Sequence, residues 1–270
     1  MNYNKIISHV YDARKFVFSK TMLSDVKTKN PYDFVTAVDM SISDYLKQKL
    51  ADDFPQVGFM TEEESQHSLN DKCFILDPID GTTNLIYDYK MSAISLAYTE
   101  NGKVMFGVVY NPFSHEMFFS LRGHGAHIYK CDRGIKKLLE IGVENYTKNS
   151  LSSSERALDK CIIEFGASSS KKHIADETFA RAKNVFVNCL DLRRTCCTAM
   201  AVCYIAAGRI DGYFEKHIKP WDYAAAILIL EEAGGKSSTW GGEALPLDKE
   251  GTIICSNGVI YSELKDLVNI

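Results

Sequence analysis

Asp77-Pro78-Ile79-Asp80-Gly81-Thr82-Thr83-Asn84 is the stretch on which the reading of this 270-residue chain turns. It follows Cys73-Phe74-Ile75-Leu76, a short apolar run that predicts a buried strand, and it precedes residues able to begin a helix. Two carboxylates three residues apart thus leave the end of a strand, beside a Gly81-Thr82-Thr83 segment whose backbone N–H groups can face an anion. Pro78 lacks an N–H and fixes φ, so the peptide between the aspartates is stiff, while Gly81 lets a ligand's oxygens approach closely. Asp, Pro, Gly and Thr are also common turn residues, and taken alone the stretch reads as a loop with Asx turns capping a helix. Three further acidic segments bear on the choice.

The first lies just upstream. Val57-Gly58-Phe59-Met60 predicts a strand that runs into Thr61-Glu62-Glu63-Glu64-Ser65. Three glutamates in a row are ordinarily solvated surface, but a carboxylate leaving one strand can meet those leaving its neighbour, and the next strand ends at Asp77. The second is Asp39, which follows Phe34-Val35-Thr36-Ala37-Val38 and begins a helix with Ile42, Tyr45, Leu46 and Leu50 on one face. Capping is its ordinary role. The third is Asp222, after Trp221, at the head of a nearly continuous apolar run from Tyr223 to Leu230. A helix N-terminus favours Asp through capping and the macrodipole, yet a helix this apolar is buried, and a buried carboxylate needs a partner.

Farther out, Tyr3, Ile6, Ile7, Val10, Ala13, Phe16 and Val17 recur with helical period and predict an amphipathic helix over 3–18. Lys27 to Asp33 is expected as a polar loop. From Ser92 to Lys130 alternating apolar residues and the Glu100-Asn101-Gly102-Lys103 turn predict antiparallel sheet. A polar, Ser-rich stretch from Glu144 to Glu155 marks the expected junction between an N-terminal lobe, 1–148, and a C-terminal lobe, 149–270. The second lobe alternates strand and helix, with strands expected at Cys161 to Phe165, Val185 to Val187, Ile210 to Phe214 and Thr252 to Cys255. Helices are expected at Lys171 to Lys183, Thr195 to Ala207, Trp221 to Ala233 and Tyr261 to Val268.

Composition narrows the function. Hydrophobic residues make up 46% and charged residues 24%, as in an ordinary globular enzyme, and the net charge of -4 supplies no general electrostatic case for nucleic acid. No run of about 18 apolar residues predicts a membrane span. The N-terminal helix carries Asp12, Arg14 and Lys15 and does not match a secretory signal, so a cytoplasmic protein is expected. The eight cysteines lie mostly among apolar residues without a C-x-x-C pair and are read as reduced core residues, and the seven histidines show no zinc spacing. Oxygen ligands for a hard metal suit the carboxylates better. If Glu62, Asp77, Asp80 and Asp222 converge, their repulsion makes sense only with bound cations, and all-oxygen donors favour Mg²⁺, with Mn²⁺ as a substitute.

The Asp77 to Asn84 stretch, with Trp221-Asp222-Tyr223-Ala224-Ala225 and Glu231-Glu232-Ala233-Gly234-Gly235, resembles the inositol monophosphatase family of Mg²⁺-dependent, lithium-sensitive phosphatases. The resemblance runs from Asp33 through the C-terminal lobe. It implies an α/β (α+β) fold, a layered αβαβα sandwich, and a homodimer. It also implies hydrolysis of a phosphomonoester of a polyol or sugar by direct attack of water.

By resemblance, Glu62 is a metal ligand, with Glu63 in reserve because of the extra glutamate. Asp77 bridges two metals, the Ile79 carbonyl serves the first, and Asp80 and Asp222 hold the second. Gly81 and Thr82 offer amides to the phosphate, and Thr82 with Asp39 orients the attacking water. Lys29 corresponds to a lysine of a mobile metal-binding loop, although its spacing to Asp33 is one residue short. Glu215 matches a glutamate that binds the alcohol. Cys196-Cys197-Thr198 stands where many relatives have Gly-Ser or Gly-Thr, which narrows or alters the pocket, and Gly166 to Ser169 is placed at its border. Relatives acting on fructose 1,6-bisphosphate, histidinol phosphate, NADP or 3'-phosphoadenosine 5'-phosphate share this site, and a non-catalytic binding protein is the alternative of another class.

Overall fold

The structure is a computed structural model that describes residues 1–19, 26–30, 33–63 and 70–270, the side chains of 26–30 and 33–35 excepted. Its elements stack in five layers, α, β, α, β, α, as the resemblance implies. Helices α1 (Tyr3–Val17) and α2 (Ala37–Asp53) pack on each other and form the first layer. They cover one face of a six-stranded sheet made of β3 (Gly58–Thr61), β4 (Lys72–Asp80), β5 (Ala93–Glu100), β6 (Lys103–Asn111), β7 (Glu116–Leu121) and β8 (Ala126–Lys130), in that spatial order. Only β3 and β4 run parallel within this sheet; the rest is antiparallel.

The central layer is α6 (Thr198–Ala206) and α7 (Pro220–Glu232). Beyond it lies a five-stranded sheet, ordered β10 (Asp191–Arg193), β9 (Ile162–Phe165), β11 (Gly212–Ile218), β13 (Gly251–Ser256), β12 (Lys236–Ser238). Helices α5 (Ala175–Phe186) and α8 (Tyr261–Val268) close the far side. Two short helices, α3 (Thr82–Ile86) and α4 (Lys136–Ile141), lie in connections.

Layering explains the sequence patterns. Strand β4 is buried on both faces: Phe74 and Leu76 pack beneath α1 and α2, while Cys73 and Ile75 face the central helices. That is why it reads as a continuous apolar run. Helix α7 is sandwiched between two sheets and is buried almost all round, from Tyr223 to Leu230. Truncating its fully buried Leu228 to Ala would cost about 2–5 kcal/mol through lost burial and the cavity left behind.

Two local expectations are corrected. Lys27 to Asp33 is not a loop, because β1 (Val26–Asn30) and β2 (Asp33–Thr36) pair antiparallel as a ribbon, residues 31 and 32 lying outside the described residues. Val185 to Val187 is not a strand: Val185 and Phe186 close α5, and Val187 caps it, with Val185 buried and its two neighbours exposed. The strand that pairs with β9 comes later, as β10.

Candidate active site

The pairing of β4 with β5 slips by one residue beside the decisive stretch. Asp77 sits opposite Ser95 and Asp80 opposite Ala93, so three steps on β4 answer two on β5. In a regular strand, residues three apart face opposite sides. The extra residue of this bulge brings both carboxylates to the same cleft. Pro78, inside the bulge, has no N–H to leave unpaired. Asp77 Oδ1 accepts from the Ile79 amide at 3.0 Å, holding the bend.

Past Asp80 the chain turns through Gly81 at φ 85° and enters α3. A side chain there would be strained, and its Cβ would lie 2.8 Å from the Met91 carbonyl. The opening amides of α3 have no partner within the helix and are therefore free in principle to meet an anion. Asn84 ties this turn to the other sheet, donating Nδ2 to Met91 O at 2.7 Å and to Thr195 O at 2.7 Å.

Each acidic segment converges on this turn. Asp39, at the third position of α2, accepts from the Thr36 amide and hydroxyl in a capping box, and its Oδ1 also takes Thr82 Oγ1 at 3.0 Å. Asp39 thus caps α2 and at the same time accepts from Thr82, the residue with which the resemblance pairs it. Glu62 leaves β3, its amide donating to Leu76 O at 3.3 Å, and reaches the cleft; Glu63 is not among the described residues lining it. Asp222 Oδ2 accepts from the Lys219 amide at the head of α7. Asp80 is gripped from the central layer, by the Ala199 amide at 2.6 Å and the Cys197 thiol at 3.3 Å. Lys29 lies on β1, and its side chain falls outside the described residues.

The electrostatics agree with convergence. Burial raises the Asp77 carboxyl well above the ordinary range, and Glu62, Asp80, Asp222 and Asp39 each push it further. Asp80 is raised to about 7, chiefly by burial, against the pull of its Ala199 and Cys197 donors. Asp222 is raised by burial and then by Asp80 and Glu62. Among the described residues, none of Asp77, Asp80 and Asp222 has a basic side chain within ion-pair distance.

Acidic groups this deep, without protein cations, have donor chemistry that fits a hard divalent ion. Among the described residues no three acidic, His or Cys side chains close tightly about one point. The carboxylates line one cleft, and their all-oxygen donor set is of the kind that a hard ion such as Mg²⁺ takes. Glu62, Asp77, Asp80, Asp222 and the Ile79 carbonyl are the groups that would hold it.

The cleft measures about 480 Å³, and its other wall comes from the five-stranded sheet. Glu215 on β11 accepts from Tyr213 Oη at 2.6 Å, and Tyr213 Oη lies 2.8 Å from Thr198 Oγ1. Burial raises Glu215 to about 7. Gly166 makes room for it: a Cβ there would come within 2.2 Å of the Glu215 carboxylate. Cys197 is buried with its thiol pushed up, first by burial and then by Asp80, so it serves as a donor and a filler. Cys196 is exposed on the cleft wall with φ 59°.

Sequence reasoning missed Tyr213, although it stands two residues before Glu215 on the same strand face. It also missed Glu164, whose buried carboxylate accepts from Thr195 N at 2.7 Å and anchors the 195–197 turn. Arg194, Lys171 and His217, which line the outer cleft, carried no motif.

Residues 4–269 match the profile of the inositol monophosphatase family. The chain belongs to that family. It is 34% identical over 222 residues to the Nus factor SuhB of Escherichia coli (strain K12), covering 81% of this chain and 76% of that protein. Inositol monophosphatase 2 of Saccharomyces cerevisiae is 32% identical over 250 residues, covering 87% and 80%. Among solved structures, an IMPase/NADP phosphatase complexed with Mg²⁺ and phosphate superposes with a TM-score of 0.80 at 25% identity, covering 98% of this chain and 93% of that one. Among the described residues no helix is long and apolar enough to cross a membrane.

Proposed function

We propose that this chain is a Mg²⁺-dependent phosphomonoester hydrolase that releases phosphate from a polyol or sugar phosphate. The observation that carries the reading is the bulge that turns Asp77 and Asp80 into one cleft with Glu62 and Asp222. Family membership and a structural relative holding Mg²⁺ and phosphate support it. Mn²⁺ is the expected substitute metal. Bound there, a divalent ion supplies Lewis-acid polarisation of the phosphoryl group and lowers the pKa of water.

The chain's own residues do the rest. Gly81 and Thr82 present their amides to the phosphoryl oxygens, orienting the phosphorus against the acidic wall. Thr82 Oγ1 has one proton and two acceptors, Asp39 Oδ1 and Ile79 O, each at 3.0 Å. Its lone pairs are therefore left to accept from a water, which Thr82 and Asp39 together orient, and Glu62, on the same cleft, is the carboxylate assigned to take up its proton. Glu215, fixed by Tyr213, receives a hydroxyl of the alcohol. Both lobes, 1–148 and 149–270, contribute to the cleft, and in keeping with the family we assign the protein to a homodimer in the cytoplasm. Its eight free thiols suit a reducing compartment.

The Escherichia coli relative, among others, bears the name Nus factor, and a binding protein that has lost turnover is the alternative. The intact set of Glu62, Asp77, Asp80, Thr82 and Asp222 favours an enzyme. The test is phosphate release from inositol 1-phosphate, fructose 1,6-bisphosphate, NADP and 3'-phosphoadenosine 5'-phosphate, with Mg²⁺ and with chelator. Mg²⁺-dependent release from at least one is expected; release unaffected by chelation, or none from any compound, overturns the reading.

A further inference from the structure

Glu164 is a buried acid that the mechanism above does not use. It stands on β9, between β10 and β11, and its Oε1 accepts both the Thr195 amide at 2.7 Å and the Thr195 hydroxyl at 2.5 Å. Burial raises its carboxyl above the ordinary range, and the two Thr195 donors pull it back. Thr195 is held from its other side as well. Asn84, on α3 beside the phosphate turn, donates Nδ2 to Thr195 O at 2.7 Å and to Cys196 O at 3.4 Å. One short segment is thus clamped between a side chain from each lobe. Cys196, which follows, belongs to no helix or strand and takes φ 59°. A residue with a side chain keeps that conformation only where its surroundings enforce it.

The enforced turn delivers two donors to one atom. The Cys197 thiol at 3.3 Å and the Ala199 amide at 2.6 Å both fall on Asp80 Oδ2. Two donors on one oxygen fix the rotation of a carboxylate, and the affinity of a metal site depends on such outer partners almost as much as on the ligands. A carboxylate suits the far end of this chain of contacts. It takes both Thr195 donors without bringing N–H groups of its own into the interior, as an amide would. We infer that Glu164 is a positioning residue for the divalent ion: by clamping Thr195 it fixes the turn that aims Asp80, and so sets the affinity for Mg²⁺ without touching it. The inference rests on the metal-site reading above, since Asp80 is the group it acts through.

The experiment is calorimetric titration of Mg²⁺ into wild type, Glu164→Ala, Glu164→Gln and Thr195→Val without substrate, with melting in chelator and the Mg²⁺ dependence of phosphate release beside it. The expected result is a Kd for Mg²⁺ raised about tenfold in Glu164→Ala and about threefold in Thr195→Val, near the low end of what losing an outer partner costs a metal ligand. Glu164→Gln keeps an acceptor for the Thr195 amide and should bring the Kd back to within about twofold of wild type. The Mg²⁺ needed for half-maximal turnover should rise with the Kd, while saturating Mg²⁺ restores kcat in Glu164→Ala to within about threefold. If Glu164→Ala does not fold, Thr195→Val decides by the same measure. Wild type that binds Mg²⁺ but releases phosphate from no compound means that the phosphatase reading has failed, and the Kd values still decide the inference. Wild type that binds no Mg²⁺ overturns both. A purely structural acid would lower the melting temperature in chelator and leave the Kd where it is, and that outcome overturns the inference while the phosphatase reading stands.

Discussion

The six-stranded sheet buries carboxylates at two places and treats them in opposite ways. At the start of β7, Glu116 is buried, yet Arg209 reaches both its oxygens, at 2.9 and 2.7 Å, and Lys130 adds a third bond at 2.6 Å. Burial alone would raise its pKa, but these cations outweigh it and hold the group at about 2. At the end of β4, Asp77 and Asp80 are equally buried, and their charged neighbours are other acids. Their pKa values rise. Among the described residues, Glu116 is given two cations, whereas Asp77 and Asp80, the acids of the proposed metal site, form no ion pair with a basic side chain.

The largest effect that should separate the two places is on turnover. Asp80→Asn keeps an oxygen for the Ala199 amide and removes the charge, so activity should fall by at least about a thousandfold, about 4 kcal/mol of barrier. The circular dichroism should stay unchanged. In chelator the variant should melt no lower than wild type, because a repelling charge has gone. Phosphate release near the wild-type rate would sink the assignment of Asp80. Glu116→Gln should do the reverse, leaving kcat within a few-fold while lowering stability.

The metal itself gives the next effect. For Asp80, a folded pKa near 7 against an ordinary 3.8 means that ionisation costs the metal-free fold stability as pH rises from about 4 through 7. Asp77 and Asp222 carry the same sign. Mg²⁺ binds the ionised forms, so its stabilisation should be large at pH 8 and shrink at pH 5.5. At a hundred times the Kd it amounts to about 2.7 kcal/mol. Calorimetric melting with Mg²⁺ and with chelator at both pH values measures it, and an equal gain at the two would contradict the raised acids.

Glu116 comes next. Because Arg209 and Lys130 are partly exposed, solvent screens the pair, and Glu116→Gln should cost about 2 kcal/mol at pH 7, less than the full shift implies. Its folded pKa is lowered, so this stability is present above the ordinary 4.5 and is lost as pH falls towards 2. Urea unfolding of wild type and variant should converge over that window. A gap that persists at pH 2 would mean that the bond geometry, rather than the charge, is what counts.

Much of this contrast could be read in the chain. The Asp77 to Asn84 stretch, the strand before it and the buried helix after Asp222 were all legible, because apolar runs and turn residues declare themselves locally. That Asp77 and Asp80 face the same way was not legible, since it depends on a one-residue slip against β5, and register belongs to two strands at once. Val185 to Val187 misled because three apolar residues show no period, and a helix end looks like a strand. Lys27-Thr28-Lys29-Asn30 shows no apolar alternation in the sequence, so nothing local announced the pairing of β1 with β2. Arg209 and Glu116 lie 93 positions apart, so their pairing exists only in the fold.

Glu215 is a third kind of buried acid and tests how far the rule extends. It is raised to about 7 by burial, with a neutral phenol as its partner and Asp80 pushing it further. Charge alone would place it with the metal ligands. Its position on β11, across the cleft and braced by Tyr213 and Thr198, argues that it meets the alcohol, whose contacts are similar before and during reaction. Such a contact contributes to binding rather than to the barrier. Glu215→Gln should therefore raise KM for a polyol phosphate about tenfold, about 1.4 kcal/mol, while kcat stays within about threefold. Steady-state kinetics at saturating Mg²⁺ separate the two. A fall in kcat at constant KM would move Glu215 to the reacting centre, and the division between acids that await a cation and acids that receive substrate would then have to be redrawn.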